Sequence, residues 1–173
     1  RPLFGAWFGK TTIDLAFIDG LHIFEFALRD FMNVERFARP DSVIVFDDML
    51  PRNVDEAARD RHTGDWAGDV FKVMSVLREH RPDLVLVPVN TTPTGVLVVL
   101  GADPTSKVLR KRYDDIIARW AVPDPQNVPP EILERRDAVD PERLLASPLW
   151  RDIARHRGLG ARAIRSRLSG ILP

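Results

Sequence analysis

Asp19, Asp47 and Asp48 stand at the ends of two short apolar runs. The first run is Ile13-Asp14-Leu15-Ala16-Phe17-Ile18-Asp19-Gly20, leading into Leu21-His22. The second is Ser42-Val43-Ile44-Val45-Phe46-Asp47-Asp48. Carboxylates brought together offer hard oxygen donors for Mg²⁺ or a similar divalent cation. His22 lies three residues beyond Asp19. Histidine changes charge near neutral pH, which suits a general base for a substrate hydroxyl. A plainer account stands beside this one. Asp at a strand end often caps the next helix or turns the backbone, and His22 can be a solvent-facing residue on a polar helical face.

The elements around these residues decide whether they meet. Each apolar run is short and flanked by turn residues, so it reads as a strand buried on both faces, over 13–19 and 42–47. Between them Leu21, Phe24, Leu28 and Phe31 recur at helical spacing, predicting a helix over 21–38. Its polar side carries His22, Glu25, Arg29 and Arg36, with Glu25 and Arg29 spaced as an i,i+4 pair. A β-α-β unit makes the strands parallel, so Asp19, Asp47 and Asp48 emerge at one sheet edge. Open α/β sheets bind ligands at that edge.

Residues 49–65 read as a long charged loop, followed by a helix over 66–80 that Asp65 or Asp69 would cap. Strands are expected at 84–89 and 95–100, joined by a turn at Thr91-Thr92-Pro93-Thr94, which makes an antiparallel hairpin. Pro88 cannot donate to a ladder, which places its strand at a sheet edge. A helix at 105–120 follows. The chain divides into a partial α/β domain over 1–120, a proline-rich linker over 121–142 and an arginine-rich helical tail over 143–173.

Composition narrows the class. Of the 173 residues 45% are hydrophobic and 29% charged, with formal net charge zero, so nothing draws the whole chain to nucleic acid or an acidic membrane. The absence of cysteine excludes disulfides, thiolate metal sites and a cysteine nucleophile. No apolar stretch approaches the ~20 residues that span a bilayer. No signal peptide is visible, and a cytoplasmic protein is expected. There is no Gly-x-Ser-x-Gly elbow, no P-loop and no His-Glu-x-x-His.

With these elements the chain resembles the class I S-adenosylmethionine-dependent methyltransferases, and within them the macrocin-type, metal-dependent sugar O-methyltransferases. The residues that carry the resemblance are Phe17-Ile18-Asp19-Gly20-Leu21-His22 and Val43-Ile44-Val45-Phe46-Asp47-Asp48. Trp66-Ala67-Gly68-Asp69-Val70-Phe71-Lys72 and Thr92-Pro93-Thr94-Gly95 are similar to stretches in related methyltransferases. The resemblance implies a Rossmann-like α/β sheet, here partial and mixed, with an antiparallel C-terminal hairpin. It implies S-adenosylmethionine and a divalent cation as cofactors. Asp19, Asp47 and Asp48 would hold the metal, with His22 and Asp19 as catalytic groups. The acceptor would be a small hydroxylated molecule such as a sugar. The resemblance tips the acidic trio toward the metal.

One departure accompanies it. The family's glycine-rich loop after its first strand has no counterpart, since only twelve residues precede Ile13. The chain therefore reads as the carboxyl-terminal half of that fold, and Arg1 in place of methionine fits a fragment or a processed product. On this reading residues that bind S-adenosylmethionine are not identifiable, and the chain alone should bind it weakly or not at all. The first strand would be a raw apolar edge, so the chain is expected to associate, as a homo-oligomer or with another chain, or else to be marginal in stability. A non-catalytic domain serving association is the competing reading. A metal-dependent oxygenase is a third, disfavoured because iron there prefers two histidines and only His22 is near.

Other residues have plainer explanations. Trp66, Asp69 and Lys72 could line an acceptor pocket, but packing and capping explain them better. Arg52, Arg59, Arg61 and His62 read as a solvated charged loop. Arg151, Arg155, Arg157, Arg162, Arg165 and Arg167 have no aromatic stacking platform beside them. They read as the outer face of a docked helix rather than a nucleic-acid arm.

Overall fold

A computed structural model describes residues 12–155 and 158–172. Phe4, Trp7, Phe8 and Arg157 lie outside the described residues. The chain forms a mixed α/β fold, compatible with part of a Rossmann-like sheet. Strands β1 (Leu15–Ile18), β2 (Val43–Phe46), β3 (Val85–Val89) and β4 (Val96–Leu100) make one open sheet in the order β1-β2-β4-β3. β1 pairs parallel with β2, and β4 runs antiparallel to both β2 and β3. Pro88 falls on an edge strand, as its missing donor requires. Its carbonyl faces outward and accepts from Val139 N–H at 2.8 Å.

Helices α1 (Phe24–Glu35), α2 (Lys72–His80) and α3 (Val108–Trp120) cover one sheet face. There Ile18, Ile44, Phe46, Leu97 and Val99 pack against Phe24, Leu28, Phe31, Val73 and Leu77. α1 begins three residues later than its apolar stripe suggests, so Leu21 is exposed rather than part of that stripe. The expected Glu25–Arg29 pair is not made. Glu25 takes Arg59 instead, at 2.6 Å, and Arg29 donates to the Tyr113 hydroxyl at 2.9 Å.

α4 (Pro130–Leu133), α5 (Pro141–Leu145), α6 (Leu149–Arg155) and α7 (Ala161–Leu168) complete the chain. Residues 121–142, expected as a linker, hold α4 and bury Val128, Ile132 and Val139. The tail docks on the second sheet face: Leu149, Ile164 and Leu168 join Val85, Val87, Val98 and Leu100 in one cluster. Some tail arginines are fixed. Arg165 donates to the carbonyls of Pro82 and Leu84, and Arg167 pairs with Asp152.

β1 departs from the sequence expectation. It is not buried on both faces, since Leu15 is 66% exposed and Phe17 59%. Both point to the face that the tail covers over β3 and β4, and among the described residues the tail does not pack on β1.

Candidate functional site

Asp19 leaves the carboxyl end of β1, and Asp48 lies two residues beyond β2. The parallel pairing sets these ends side by side: Ile18 is the register partner of Phe46, and Asp47 N–H donates to the Ile18 carbonyl at 3.0 Å. The sheet therefore does what the β-α-β reading requires.

The side chains brought together are those of Asp19, His22 and Asp48, each with a donor atom within 4.8 Å of the others. Asp47 is not in this group. Its Oδ1 accepts from Asp48 N–H at 2.9 Å, so it orients its neighbour's backbone. His22 lies before α1 rather than in its first turn. Its φ is 55°, and Asp48 has φ 60°. Non-glycine residues held in this left-handed region cost about 1–3 kcal/mol each and cluster at functional sites.

Each member is held in place. His22 Nδ1 lies 2.8 Å from the Trp66 carbonyl oxygen. A carbonyl only accepts, so Nδ1 carries a proton and donates. The same nitrogen lies 3.1 Å from Asp48 Oδ2, while Nε2 faces Asp19 Oδ1 at 3.3 Å. The Trp66 indole stacks on the imidazole with centroids 5.1 Å apart and planes 16° from parallel. The Thr94 hydroxyl donates to Asp48 Oδ1 at 2.5 Å. Burial pushes the Asp48 carboxyl above its ordinary pKa, and the Thr94 hydroxyl and His22 only partly offset that.

The turn singled out from sequence gains a physical role here. Thr92-Pro93-Thr94-Gly95 delivers the hydroxyl to Asp48. Leu50 N–H donates to the Thr94 carbonyl at 2.6 Å, and a Cβ on Gly95 would meet Leu50 side-chain carbon at 2.5 Å. Arg135, from the supposed linker, clamps the same turn by donating to the carbonyls of Leu50, Thr91 and Pro93. Sequence reasoning missed Arg135, whose signal was only a charged residue in a proline-rich stretch.

Asp69 and Lys72 are buried structural residues, as packing and capping suggest. Asp69 caps α1 rather than its own helix: its Oδ1 accepts from Phe24 N–H at 2.7 Å, and Arg59 and Lys72 donate to Oδ2 at 2.6 and 2.9 Å. Asp19 does not cap α1. Arg59 is pinned inward by Glu25 and Asp69, unlike the solvated residue expected of that loop. Arg61 lies over the Trp66 ring at 5.9 Å.

The site fits a divalent cation: the Asp19 and Asp48 carboxylates converge beside His22, and Asp19 is open to solvent. Beside β1 the described residues place no glycine-rich strand-to-helix turn for a methyl donor.

A family model described as a methyltransferase domain matches residues 3–49. These residues hold β1, α1, β2 and the aspartates that follow both strands. The match supports a methyltransferase domain, and with it methyl transfer and use of S-adenosylmethionine in general terms. No curated protein and no solved structure matches the chain. Among the described residues no helix is long and apolar enough to cross a membrane.

Proposed function

We propose that the site serves methyl transfer to an oxygen of a small hydroxylated acceptor, with a divalent cation at Asp19 and Asp48. The observation that carries this is His22, held between the two carboxylates with Nδ1 committed to the Trp66 carbonyl. That leaves Nε2, 3.3 Å from Asp19 Oδ1, as the nitrogen that can take up a proton and share it with that carboxylate. His22 Nε2 takes the proton from the acceptor hydroxyl. Asp19 accepts the imidazolium charge that results, and Asp48 and Asp19 supply the oxygen ligands. Asp47 and Thr94 keep Asp48 in place. When bound, the cation supplies a Lewis acid that lowers the pKa of the hydroxyl. S-adenosylmethionine supplies an electrophilic methyl group. No described residue is assigned to the methyl donor, and the chain alone is proposed to bind it weakly.

Mn²⁺ tests the site directly. In amide spectra of the labelled chain, Mn²⁺ should broaden residues 19, 22 and 48 selectively. Asp48→Asn should weaken that effect by at least about tenfold, the scale of losing a charged ligand interaction of ~1.4 kcal/mol or more. Asp47→Asn, which keeps the oxygen that accepts from Asp48 N–H, should leave it within about twofold. Uniform broadening that ignores Asp48→Asn would overturn the proposal.

The exposed Leu15 and Phe17 favour a second reading, association of the β1 edge with another copy of the chain. Light scattering on the purified chain tests it: a monomer at every concentration rules it out.

A further inference from the structure

The turn at residues 66–69 meets residues 22–24 at several points. The Trp66 carbonyl takes His22 Nδ1 at 2.8 Å, and the Trp66 ring stacks on the imidazole. Asp69 caps the following residues through Phe24 N–H. Gly68, at φ +64°, lets the two backbones touch. A Cβ there would lie 1.8 Å from the His22 carbonyl oxygen. The turn is itself anchored from the far side. Ala67 and Gly68 N–H both donate to the Glu56 carbonyl at 2.9 Å, and Trp66 Nε1 donates to the Ala58 carbonyl at 2.6 Å.

Packing alone does not require this combination. A half-buried tryptophan needs apolar neighbours and a partner for its N–H. It does not need its own carbonyl aimed at the nitrogen of the ring it stacks on. That arrangement sets which imidazole nitrogen is protonated, because the partner of one nitrogen fixes the tautomer and so the role of the other. Here Nδ1 faces two acceptors, the Trp66 carbonyl at 2.8 Å and Asp48 Oδ2 at 3.1 Å, while Nε2 faces one, Asp19 Oδ1, at the longer 3.3 Å, so the single proton of the neutral ring is held better on Nδ1.

We infer that Trp66 is the positioning residue for His22, with Gly68 admitting the close approach that brings the Trp66 carbonyl into range. The inference rests on the reading of His22 as the proton acceptor. It adds the element that decides which nitrogen accepts. Ring and carbonyl act together: the stack fixes the imidazole plane, and the carbonyl fixes the rotation within that plane. Removing either frees the histidine to exchange tautomers.

Imidazole ¹H–¹⁵N spectra of the full labelled chain, at a pH where the ring is neutral, read the tautomer without any cofactor. His22 is identified by the signals lost in His22→Gln. The wild-type chain should show a protonated Nδ1 and a bare Nε2. Trp66→Leu keeps apolar bulk but removes the ring, and should shift both nitrogens toward an averaged mixture. Trp66→Phe should restore the wild-type pattern. Gly68→Ala should mix the tautomers as Trp66→Leu does. A wild-type Nε2–H pattern overturns the inference even if no variant folds, and so does an unchanged Nδ1–H pattern in folded Trp66→Leu and Gly68→Ala. Adding Mn²⁺ to the same sample separates this from the cation reading. A fixed Nδ1–H pattern that depends on Trp66, without selective broadening of Asp19 and Asp48, upholds the positioning role and rejects the cation.

Discussion

Asp69 shows how much of the site's geometry depends on one buried charge. It is fully buried, yet it accepts from a backbone amide, an arginine and a lysine. A buried carboxylate survives only when its lone pairs are filled this way. The cap it gives Phe24 holds the start of α1 two residues from His22. Lys72 has a second acceptor in the Trp120 carbonyl at 2.9 Å, so the network reaches the end of α3. Asp69→Ala leaves a buried lysine and a half-buried arginine short of charge. It should cost about 3–5 kcal/mol in urea unfolding. A loss under about 1 kcal/mol would mean the network is not held as a unit. The same substitution should also broaden the His22 imidazole signals in the folded protein, because the turn that carries Trp66 loses its tie to α1.

At the scale of elements, loop 49–67 is tied to α1 through Arg59 and Glu25, an ion pair with consequences for acid stability. Burial raises the Glu25 pKa, but hydrogen bonds from Arg59 outweigh that and hold it below its ordinary 4.5. An acid with a lowered folded-state pKa binds fewer protons folded than unfolded. Its stabilisation is complete above about 4.5 and is lost as pH falls through the lower folded value. Glu25→Gln should therefore flatten the dependence of unfolding free energy on pH below about 4.5 and lower stability at neutral pH. An unchanged acid slope, measured by urea titrations at several pH values, would contradict the pairing. The sequence could show α1, because Phe24, Leu28 and Phe31 form a stripe, and could show the β3 edge, because Pro88 cannot donate. It could not show that Glu25 prefers Arg59, 34 residues away, over Arg29 one turn away. That choice is made by the loop's path. Nor could it show the His22–Trp66 contact across 44 residues. The contact depends on left-handed backbone at His22 and Gly68, and only the glycine announces itself in sequence.

Across the whole molecule the sheet is covered unequally. One face lies under α1, α2 and α3 along its whole width. The other lies under the C-terminal helices, which are fastened over β3 and β4 by Leu149, Ile164, Leu168 and Arg165. That cover thins over β2, where Val43 and Val45 are only half-buried, and ends before Leu15 and Phe17. Among the described residues β1 also pairs only with β2, leaving its outer backbone edge open. An apolar strand open on one edge and one face is a template for pairing. A formal net charge of zero offers no long-range repulsion against it. Light scattering should find the average mass rising with concentration above the 19.6 kDa of one chain. Phe17→Lys, which charges the open face without touching the covered one, should return the mass to that of the monomer. Leu145→Lys makes the control, since Leu145 is as exposed, at 73%, but lies on α5 away from the strand edge. If Leu145→Lys abolishes association and Phe17→Lys does not, the contact runs through the tail. If neither changes a monomeric mass, β1 does not recruit a second copy, and its bare face is no argument against the catalytic reading.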